Sequence, residues 1–482
     1  MSLAYLDPGN LESDLQQGAY TGYTLVWVLF WATVMGLVLQ EMSARLALVS
    51  GSDLAQMVRL EYPRWLNYII YVMMEIAVVA ADIQEVVGSA IAIYLVTGGY
   101  VPVIVGCLIT ACDTFTFLAV QYFGVRYLEA LICVLVSTMA VCFFVNWGKS
   151  STDVGNLLYG WVVPTVPAYG LTQAVSTIGA VVMPHNLYLH SGLVLSRKVN
   201  RSSKHKVNDA IWYARIESAG ALLVSFLINL ALVAPNANSF FSKTCAETPS
   251  NSGPFACISR AAWAKAGSDD SDGQGEACIL RGGGAGVCSE LGLLSEGYAL
   301  QHAFNNASLY IWAIGLLAAG QAATMTCTYA GQVIMGGCLQ IRLAPWKRTA
   351  LTRLFAIGPA LAVAASTYNN QSLFNNINEY LNVLQSVQLP FAMLPVLHFA
   401  RQSKLLGIFA SRSWLRAVSY FFAAIVMVVN VILIVQFVED YPVGAIVGVC
   451  CYGIGYCVCC VCMLVDSKHL TANLAALKFV RS

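Results

Sequence analysis

The chain alternates long apolar runs with short polar connections. Runs near or above the ~18 apolar residues that indicate a membrane-spanning helix recur along it. Together with a short opening element at about 3–18, the pattern predicts twelve elements, at about 23–47, 66–97, 101–120, 127–146, 171–195, 216–235, 307–338, 350–367, 380–399, 415–437 and 442–465. Several exceed the ~20 residues of a straight span, so we expect tilted or protruding helices. The sequence therefore predicts an all-α membrane protein.

Two of these elements are interrupted by the same kind of motif. The first contains Asp7-Pro8-Gly9-Asn10 within "AYLDPGNLES", and the sixth contains Met183-Pro184-His185-Asn186 within "VVMPHNLYLH". A proline inside a span removes a backbone hydrogen bond, and the freed carbonyls are tolerated where they line a cavity or meet a ligand. A simple kink is the alternative for one proline. Breaks in the first and sixth elements predict a five-plus-five inverted repeat with an ion site at the breaks.

Composition agrees with a membrane protein. The 482 residues are 58% hydrophobic and 11% charged, whereas a soluble domain carries about 25% charged residues. The net charge of +1 argues against nucleic acid as a partner, and no signal peptide is visible before the first motif. We expect one transmembrane domain, residues 1–482, surrounded by lipid bilayer.

Basic residues indicate the orientation of the spans. If the N-terminus is cytoplasmic and each element crosses once, 21 of the 26 Lys and Arg residues lie on the cytoplasmic side. The connection at about 236–306 is then extracytosolic, and the tail at 466–482 is cytoplasmic. The chain is expected in the plasma membrane or in an endosomal, lysosomal or vacuolar membrane.

The extracytosolic connection contains four of the sixteen cysteines. Cys245, Cys257, Cys278 and Cys288 lie in a polar Gly/Ser/Asp-rich segment whose composition favours partial disorder. We expect one or two disulfides among three possible pairings. Asn306 begins a sequon and is a candidate for glycosylation.

A second group of cysteines lies in the last apolar element. It comprises Cys450, Cys451, Cys457, Cys459, Cys460 and Cys462. The surroundings are apolar and lack Asp or His, so we interpret these cysteines as packing residues rather than as a metal site.

The two breaks carry donors that suit a transition metal. Asp7 offers a carboxylate, Asn10 an amide oxygen and Met183 a thioether, while unwound backbone at 3–4 and 179–180 offers carbonyls. Oxygen ligands alone suit Ca²⁺ or Mg²⁺, whereas a thioether favours softer metals. The mixed set predicts Mn²⁺ or Fe²⁺ as transported substrate and no resident cofactor, although core packing is an alternative role for Met183.

Acidic residues inside the third element form a second group of candidate functional residues. Glu75, Asp82 and Glu85 share one helix face, and such groups in membranes mark ion pathways or proton relays. His185 and His190 add groups that titrate near neutral pH. Arg353 is placed to pair with the acids or to extend toward the membrane surface.

The quoted motifs resemble those of the Nramp family, proton-coupled divalent-metal transporters. The resemblance rests on "AYLDPGNLESDLQ", "DIQEVVGSAIAI", "GAVVMPHNLYLHS", "GQAATMTCTYAGQVIMGG" and "LNVLQSVQLPFAMLP", which extend from the first element to the tenth. It implies the LeuT-type inverted-repeat fold of sodium-coupled amino-acid transporters. We expect the chain to function as a monomer.

The resemblance also implies roles for individual residues. The metal ligands would be Asp7, Asn10, Met183 and the carbonyls of Ala180 and Ala4. Proton transfer would involve Asp7, Asp82 and Glu85, with contributions from His185 and Arg353. Candidates from the tenth element to approach the metal are Asn382, Gln385 and Gln388.

One departure from the family pattern concerns the start of the chain. Only six residues precede Asp7, so we expect the first helix to lack most of its N-terminal half. The alternatives are a metal-sensing receptor with the same membrane domain, another cation or solute symporter on this fold, and an intramembrane metalloenzyme. The last is disfavoured because the chain has no HExxH motif, and we expect no enzymatic activity.

Overall fold

The computed structural model describes residues 6–112, 125–197, 199–247, 254–266, 275–281, 283–340, 345–366, 371–439 and 443–464. The first half contains α1 (Pro8–Thr21), α2 (Val26–Ser50), α3 (Leu54–Glu61), α4 (Arg64–Val96), α5 (Val103–Cys112), α6 (Val125–Lys149) and α7 (Val154–Val162). The second half contains α8 (Leu171–Val181), α9 (Pro184–Leu195), α10 (Lys204–Ser239), α11 (Lys243–Ala246), β1 (Ala256–Ser259), α12 (Arg260–Ala266), β2 (Ala277–Ile279), β3 (Ala285–Ser289), α13 (Leu293–Ala303), α14 (Asn306–Leu339), α15 (Pro345–Ser366), α16 (Gln371–Gln388), α17 (Pro390–Arg401), α18 (Ser403–Leu406), α19 (Ser413–Glu439) and α20 (Val443–Leu464).

The helices coincide with the apolar runs. Within the described ranges, eight helical stretches are long and apolar enough to cross a membrane, and two shorter apolar helices, Val103–Cys112 and Tyr452–Leu464, fall in two further predicted elements. Part of the predicted element at 101–120 lies outside the described residues. The predicted all-helical membrane architecture is therefore confirmed.

Both predicted breaks involve a proline at a helix start. Asp7 is extended and caps α1, and Pro8 is the first residue of that helix, a position where its missing N–H is no loss. In the sixth element α8 ends at Val181, Met183 is extended, and α9 begins at Pro184. The sixth element is thus two half-helices. Ala4 precedes the described residues.

The two halves of the chain interleave. α1 contacts α10 and α9 contacts α2, while the long helices α4 and α14 lie against each other. One hydrophobic cluster joins α2, α3 and the start of α4 to α17, and a second joins α1 and the end of α4 to α14. Val181 and Val182 at the second break belong to the first cluster, whereas Leu6 and Leu11 beside the first break belong to the second.

The connection between α10 and α14 folds into a small sheet. Its strands pair antiparallel in the order β1-β3-β2. The sheet is fixed to the end of α10, because Cys257 N–H donates to Phe240 O (2.8 Å) and Arg281 donates to Asn238 O (2.9 Å). The sequence analysis did not predict these strands, since they are three to five residues long and lie in a segment rich in glycine.

Two disulfides stabilise this segment. They join Cys245 to Cys288 and Cys257 to Cys278, which selects one of the three possible pairings. The four cysteines pack around Phe255. The prediction of disulfides in this segment agrees with the structure.

Candidate metal-binding site

The break at the start of α1 holds a carboxylate with one oxygen engaged and one oxygen free. Asp7 Oδ1 accepts the N–H of Asn10 (2.9 Å), which is the usual interaction of a helix cap. Asp7 Oδ2 and both polar atoms of the Asn10 amide make no hydrogen bond of normal geometry with described residues. Both side chains are buried, at 3% and 0% exposure. Buried polar atoms without partners are costly and indicate a site for an ion, a water or a ligand.

The break between α8 and α9 exposes backbone for a different reason. Ala180 precedes Pro184 by four residues, and proline has no N–H to donate to the Ala180 carbonyl. Ala180 and Met183 are both buried, at 0% and 3% exposure. In the sequence the same four-residue spacing separates Ala4 from Pro8. The second break therefore combines a released carbonyl with a side-chain donor.

The packing of α1 against α8 relates the two breaks to each other. Ser13 Oγ lies 3.2 Å from Thr177 Oγ1, and Gln173 Nε2 lies 3.5 Å from Gln16 Oε1. The two helices therefore run antiparallel. Continuing this register toward the breaks brings Asn10 toward Ala180, and Asp7 toward Met183.

Amides from α4 and α16 close the other side of the breaks. Gln84 Nε2 donates to Asn382 Oδ1 (2.9 Å), Asn382 Nδ2 donates to Gly9 O (3.0 Å), and Gln385 Nε2 donates to Gln84 Oε1 (2.9 Å). Gln385 Oε1 is buried and has no hydrogen-bond partner among the described residues. Of the three candidates in the tenth element, Asn382 contacts the first break directly, and Gln385 carries an unpartnered acceptor beside it.

Gln388 lies one turn beyond these amides. It is buried at 2% exposure, and its Oε1 also has no partner in the described part of the chain. The sequence analysis missed Gln84, although it lies within the quoted motif "DIQEVVGS" between two residues that were selected. The signal that the sequence offered was that Gln84 is a polar residue inside an apolar span.

Glycines allow the helices around the two breaks to approach one another closely. A Cβ added to Gly179 would lie 2.2 Å from Asn382 O, and one added to Gly88 would lie 2.5 Å from the Pro8 side chain. Asn382 thus touches α8 with its backbone and the first break with its side chain. The two breaks and α16 meet at this residue.

The predicted proton-pathway acids lie on α4 beside this site. Asp82 and Glu85 are buried, and one oxygen of each lies within 4.8 Å of the other and of Cys327 Sγ on α14. Glu75 lines a separate cavity of about 390 Å³ together with Tyr71 and Phe355. Cys327 was not selected from the sequence, because a cysteine in an apolar run carries no distinguishing signal.

The two histidines have different surroundings. His185 is buried directly after the second break, and its Nδ1 has no hydrogen-bond partner among the described residues. His190 Nε2 lies 3.5 Å from Ser218 Oγ on α10. Arg353 belongs to α15, and its side chain lies outside the described part of the structure.

The candidate sequon lies at the start of α14. Asn306 is exposed, and its Oδ1 accepts from Gln301 (3.1 Å). Ser308 is fully buried and its hydroxyl contacts Asn305 Oδ1 (3.2 Å). Glycosylation at Asn306 stays a prediction.

Solved structures of similar shape are membrane transporters. The chain superposes on an Eremococcus coleocola manganese transporter with a TM-score of 0.75 and 26% identity, covering 96% of this chain and 91% of that one. It also matches the fold of Mhp1, a nucleobase-cation-symport-1 family transporter, with a TM-score of 0.52 and 11% identity, covering 99% and 91%. Fold and broken helices together define a multi-pass integral membrane protein with the inverted-repeat transporter fold.

Sequence comparison identifies the family. Residues 1–255 and 284–436 match the model described as natural resistance-associated macrophage protein-like. Similar proteins include "Metal transporter Nramp4" of Arabidopsis thaliana, 40% identical over 463 residues, 95% of this chain and 82% of that protein. The "Metal transporter nramp1 homolog" of Dictyostelium discoideum is 41% identical over 438 residues, 91% and 73%. The chain belongs to the Nramp family, whose similar members are named as transporters and not as enzymes.

Proposed function

We propose that this chain is a secondary transporter that carries divalent transition-metal ions, Mn²⁺ and Fe²⁺ in particular, toward the cytosol together with protons. Similar proteins are named metal transporters, and the solved structure of similar fold is of a manganese transporter. The observation that carries the proposal is that α1 packs against α8, with unpartnered Asp7 and Asn10 atoms at the start of α1 and buried Met183 at the break that follows α8.

The proposed ligands are a carboxylate, an amide, a thioether and a released carbonyl. They are contributed by Asp7, Asn10, Met183 and Ala180, with Gln385 placed to approach from α16. Ala4 is a further carbonyl ligand on the family resemblance alone. A carboxylate supplies charge for a divalent ion, and the thioether favours a transition metal over Ca²⁺ or Mg²⁺.

The proposed proton path runs along α4. Asp82 and Glu85 lie together in the buried core, and Glu75 lies seven residues before Asp82 on the same helix. Asp7 joins the path at the metal site, and His185, His190 and Arg353 are contributors. Acidic side chains inside a membrane are rare and usually mark ion pathways or proton relays.

The inward direction follows from charge and from the distribution of basic residues. A negative interior favours inward movement by about 2.3 kcal/mol per charge per 100 mV. The cytoplasmic side is the one with most Lys and Arg residues. The segment with two disulfides then faces the opposite, oxidising compartment.

Uptake into proteoliposomes tests the proposal. We expect Mn²⁺ and Fe²⁺ to enter and to compete with each other, and the internal pH to fall as they do. Asp7→Asn should abolish uptake and also Mn²⁺ binding measured by calorimetry, because the remaining donors carry no charge. Asn156→Asp, at an exposed position in the first turn of α7 and outside the site, serves as a control.

Three outcomes would reject the proposal or a part of it. Wild-type Mn²⁺ affinity in Asp7→Asn would refute the ligand assignment. Metal uptake without any pH change would refute proton coupling. Metal binding without uptake would favour the receptor alternative.

A further inference from the structure

A large cavity lies beside the disulfide-linked sheet, at a place where several helices end. Its volume is about 720 Å³, which falls within the range of about 300–1,000 Å³ that is typical of small-molecule sites. The residues that line it come mainly from the end of α6, the end of α10, the turn between β2 and β3, and the end of α13. The fold therefore brings four distant parts of the chain together around this cavity.

The ionisable side chains that line this cavity are all basic. They are Lys149, Arg281 and His302, of which the first two are charged at neutral pH and the third becomes charged on protonation. Hydroxyl groups that can donate hydrogen bonds belong to Ser150, Ser151, Ser239 and Ser259. No acidic residue belongs to the described lining of the cavity. Cationic and hydroxyl donors without a carboxylate suit an anion and repel a metal ion.

Arg281 is oriented by a neutral partner. Its Nη1 donates to two oxygens of Asn238, the backbone O (2.9 Å) and the side-chain Oδ1 (2.8 Å). These hydrogen bonds use two of the five N–H donors of a guanidinium, and they do not neutralise its charge. Arg281 is thus held in place with N–H donors left for an anion.

Lys149 is oriented in the same manner. Its Nζ donates to Ser308 Oγ (3.0 Å) at the start of α14, and Ser308 is fully buried. A hydroxyl accepts one of the three N–H donors of an ammonium and leaves the positive charge uncompensated. Fixing a long side chain in advance reduces the entropy that it loses when a ligand binds. Two cations of the cavity are therefore positioned before a ligand arrives.

Two acidic side chains near the cavity have other partners. Asp153 lines a neighbouring cavity that Arg281 also borders, and its two oxygens accept from the backbone N–H (3.1 Å) and the Nδ2 (2.7 Å) of Asn156. Glu296 on α13 is buried and accepts from Asn236 (3.1 Å). Burial raises the pKa of Glu296 to about 8, so most of this carboxyl group is protonated at neutral pH. Both acids are therefore poor counterions for the cations of the cavity.

We propose that this cavity binds a polyvalent oxyanion, a molecule that carries two or more phosphate or carboxylate groups. Paired N–H donors of Arg281 match the oxygens of one such group, and the ammonium of Lys149 binds another as a point charge. The serine hydroxyls supply further hydrogen bonds. The ligand has the opposite charge to the metal ion proposed for the central site, so this is a separate binding activity beside the disulfide-linked segment.

Calorimetric titration of the purified full chain in metal-free buffer tests this with two probes, pyrophosphate and citrate. We expect saturable binding of one anion per chain, and a Kd that increases with the salt concentration. Arg281→Gln and Lys149→Gln should each raise the Kd roughly tenfold, because each removes charge-assisted hydrogen bonds. Arg281→Lys should lie between the wild type and Arg281→Gln, since it keeps the charge and loses the paired donors.

Lys243→Gln is the matched control. Lys243 is an exposed lysine of α11 in the same segment, its Nζ lies 3.7 Å from Glu247 Oε1, and it does not line the cavity. This variant should keep the wild-type Kd. Thermal unfolding without ligand checks that each variant is folded. Mn²⁺ calorimetry should give wild-type binding in all of them, because the cavity is separate from Asp7 and Met183.

Two sources of the anion, a soluble molecule and a lipid headgroup, are distinguished by changing the lipid. In nanodiscs of neutral phosphatidylcholine, pyrophosphate should bind with the same Kd as in detergent. Adding phosphatidic acid to the nanodiscs should leave this Kd unchanged if the ligand is soluble. A higher Kd would show that the phosphate of a lipid headgroup occupies the same cavity.

Two outcomes would overturn the proposal. One is that pyrophosphate, citrate and phosphatidic acid all fail to bind. The other is that Lys243→Gln weakens binding as much as Arg281→Gln does, since binding would then reflect the overall charge. Mn²⁺ binding that does not depend on Asp7 would instead reject the central metal site and leave the anion site intact.

Discussion

At the scale of single residues, Asp7 uses one carboxylate oxygen for structure and presents the other at the proposed metal site. Oδ1 caps α1, and Oδ2 remains without a partner in the described structure. The cap fixes the carboxylate in one orientation, so the second oxygen is held ready for an ion without further ordering. Asn10 repeats this division, since its backbone N–H makes the cap and its amide is left for the ligand.

The role of Met183 gives a prediction at this scale. Met183→Ala should retain Mn²⁺ uptake and lose roughly tenfold of the discrimination against Ca²⁺, equivalent to about 1.4 kcal/mol. The reason is that the thioether is the donor that Ca²⁺ binds poorly. Competitive uptake of Mn²⁺ and Ca²⁺ into proteoliposomes measures it. Met35→Ala, at a buried methionine of α2, is the control, and undiminished Ca²⁺ rejection in Met183→Ala would refute the assignment.

Buried acids give a second prediction, for a group outside the membrane-spanning helices. Burial raises the pKa of Glu296 on α13 from 4.5 to about 8, an increase that the hydrogen bond from Asn236 partly offsets. The folded state therefore favours the protonated form, and this stabilisation is complete below pH 4.5 and is lost as the pH rises to about 8.

Glu296→Gln should remove the loss of stability at high pH, because glutamine has no charged form. We expect the variant to melt above the wild type at pH 8 and the difference to shrink at pH 5, in thermal unfolding of the detergent-solubilised protein. Glu247→Gln, at an exposed position, should show no such trend. A difference independent of pH would contradict the prediction.

At the scale of elements, the site depends on how closely four helices approach one another. α8 contacts α16 and α1, and α16 contacts α4. The amides of Gln84, Asn382 and Gln385 join α4 to α16 and to the first break. Removing one of these amides would leave buried partners unsatisfied, at about 1–3 kcal/mol each.

Gly179→Ala tests the close contact of α8 with α16. The added Cβ would lie 2.2 Å from the backbone oxygen of Asn382, and backbone cannot move aside as the end of a side chain can. We expect about 1–3 kcal/mol of destabilisation or more, a lower melting temperature, and loss of Mn²⁺ uptake.

Gly220→Ala is the matched control, because a Cβ at that helical glycine would meet nothing within 4 Å. It should melt at or slightly above the wild-type temperature, since alanine favours helix over glycine. Equal melting temperatures and equal Mn²⁺ uptake in Gly179→Ala and Gly220→Ala would show that the α8–α16 contact is looser than described.

At the scale of the whole molecule, the disulfide-linked sheet is fixed to the helices that form the site. Arg281 donates to Asn238 Oδ1 (2.8 Å), which also accepts from Tyr23 at the end of α1 (2.9 Å). Tyr20 and Leu291 are joined in the same region, with Leu291 N–H donating to Tyr20 Oη (2.8 Å). The sheet thus holds one end of α1 while the break holds the other.

Removing each disulfide separately should lower the melting temperature by a different amount. Cys245–Cys288 closes 43 residues and Cys257–Cys278 closes 21, and chain entropy assigns them about 4 and about 3 kcal/mol. Replacing the first pair with serine should lower the melting temperature more, and Mn²⁺ should still bind at Asp7. Cys133→Ser, at an exposed free cysteine, is the control, and peptide mapping that found another pairing would contradict the structure.

The sequence by itself determined the spans and the two breaks, and it selected the residues that we propose as donors at them. Apolar length fixes a span and proline ends a helix, and both are local properties of the chain. Asp7, Asn10 and Met183 were selected because each lies next to such a break. The family resemblance added the carbonyl of Ala180 and the polar residues of the tenth element to the proposed metal ligands.

Only the tertiary structure decided which distant residues meet. Gln84 contacts Asn382 across 298 residues, and Gln173 contacts Glu379 across 206. Their approach depends on side-chain packing between helices, which no local pattern encodes. The disulfide pairing was likewise decided by the tertiary structure, and strand register alone does not give it, because Cys257 lies opposite Cys288 but bonds to Cys278. Local chemistry thus selected the proposed donors, whereas only folding brought the amides of Gln84, Asn382 and Gln385 together beside the first break.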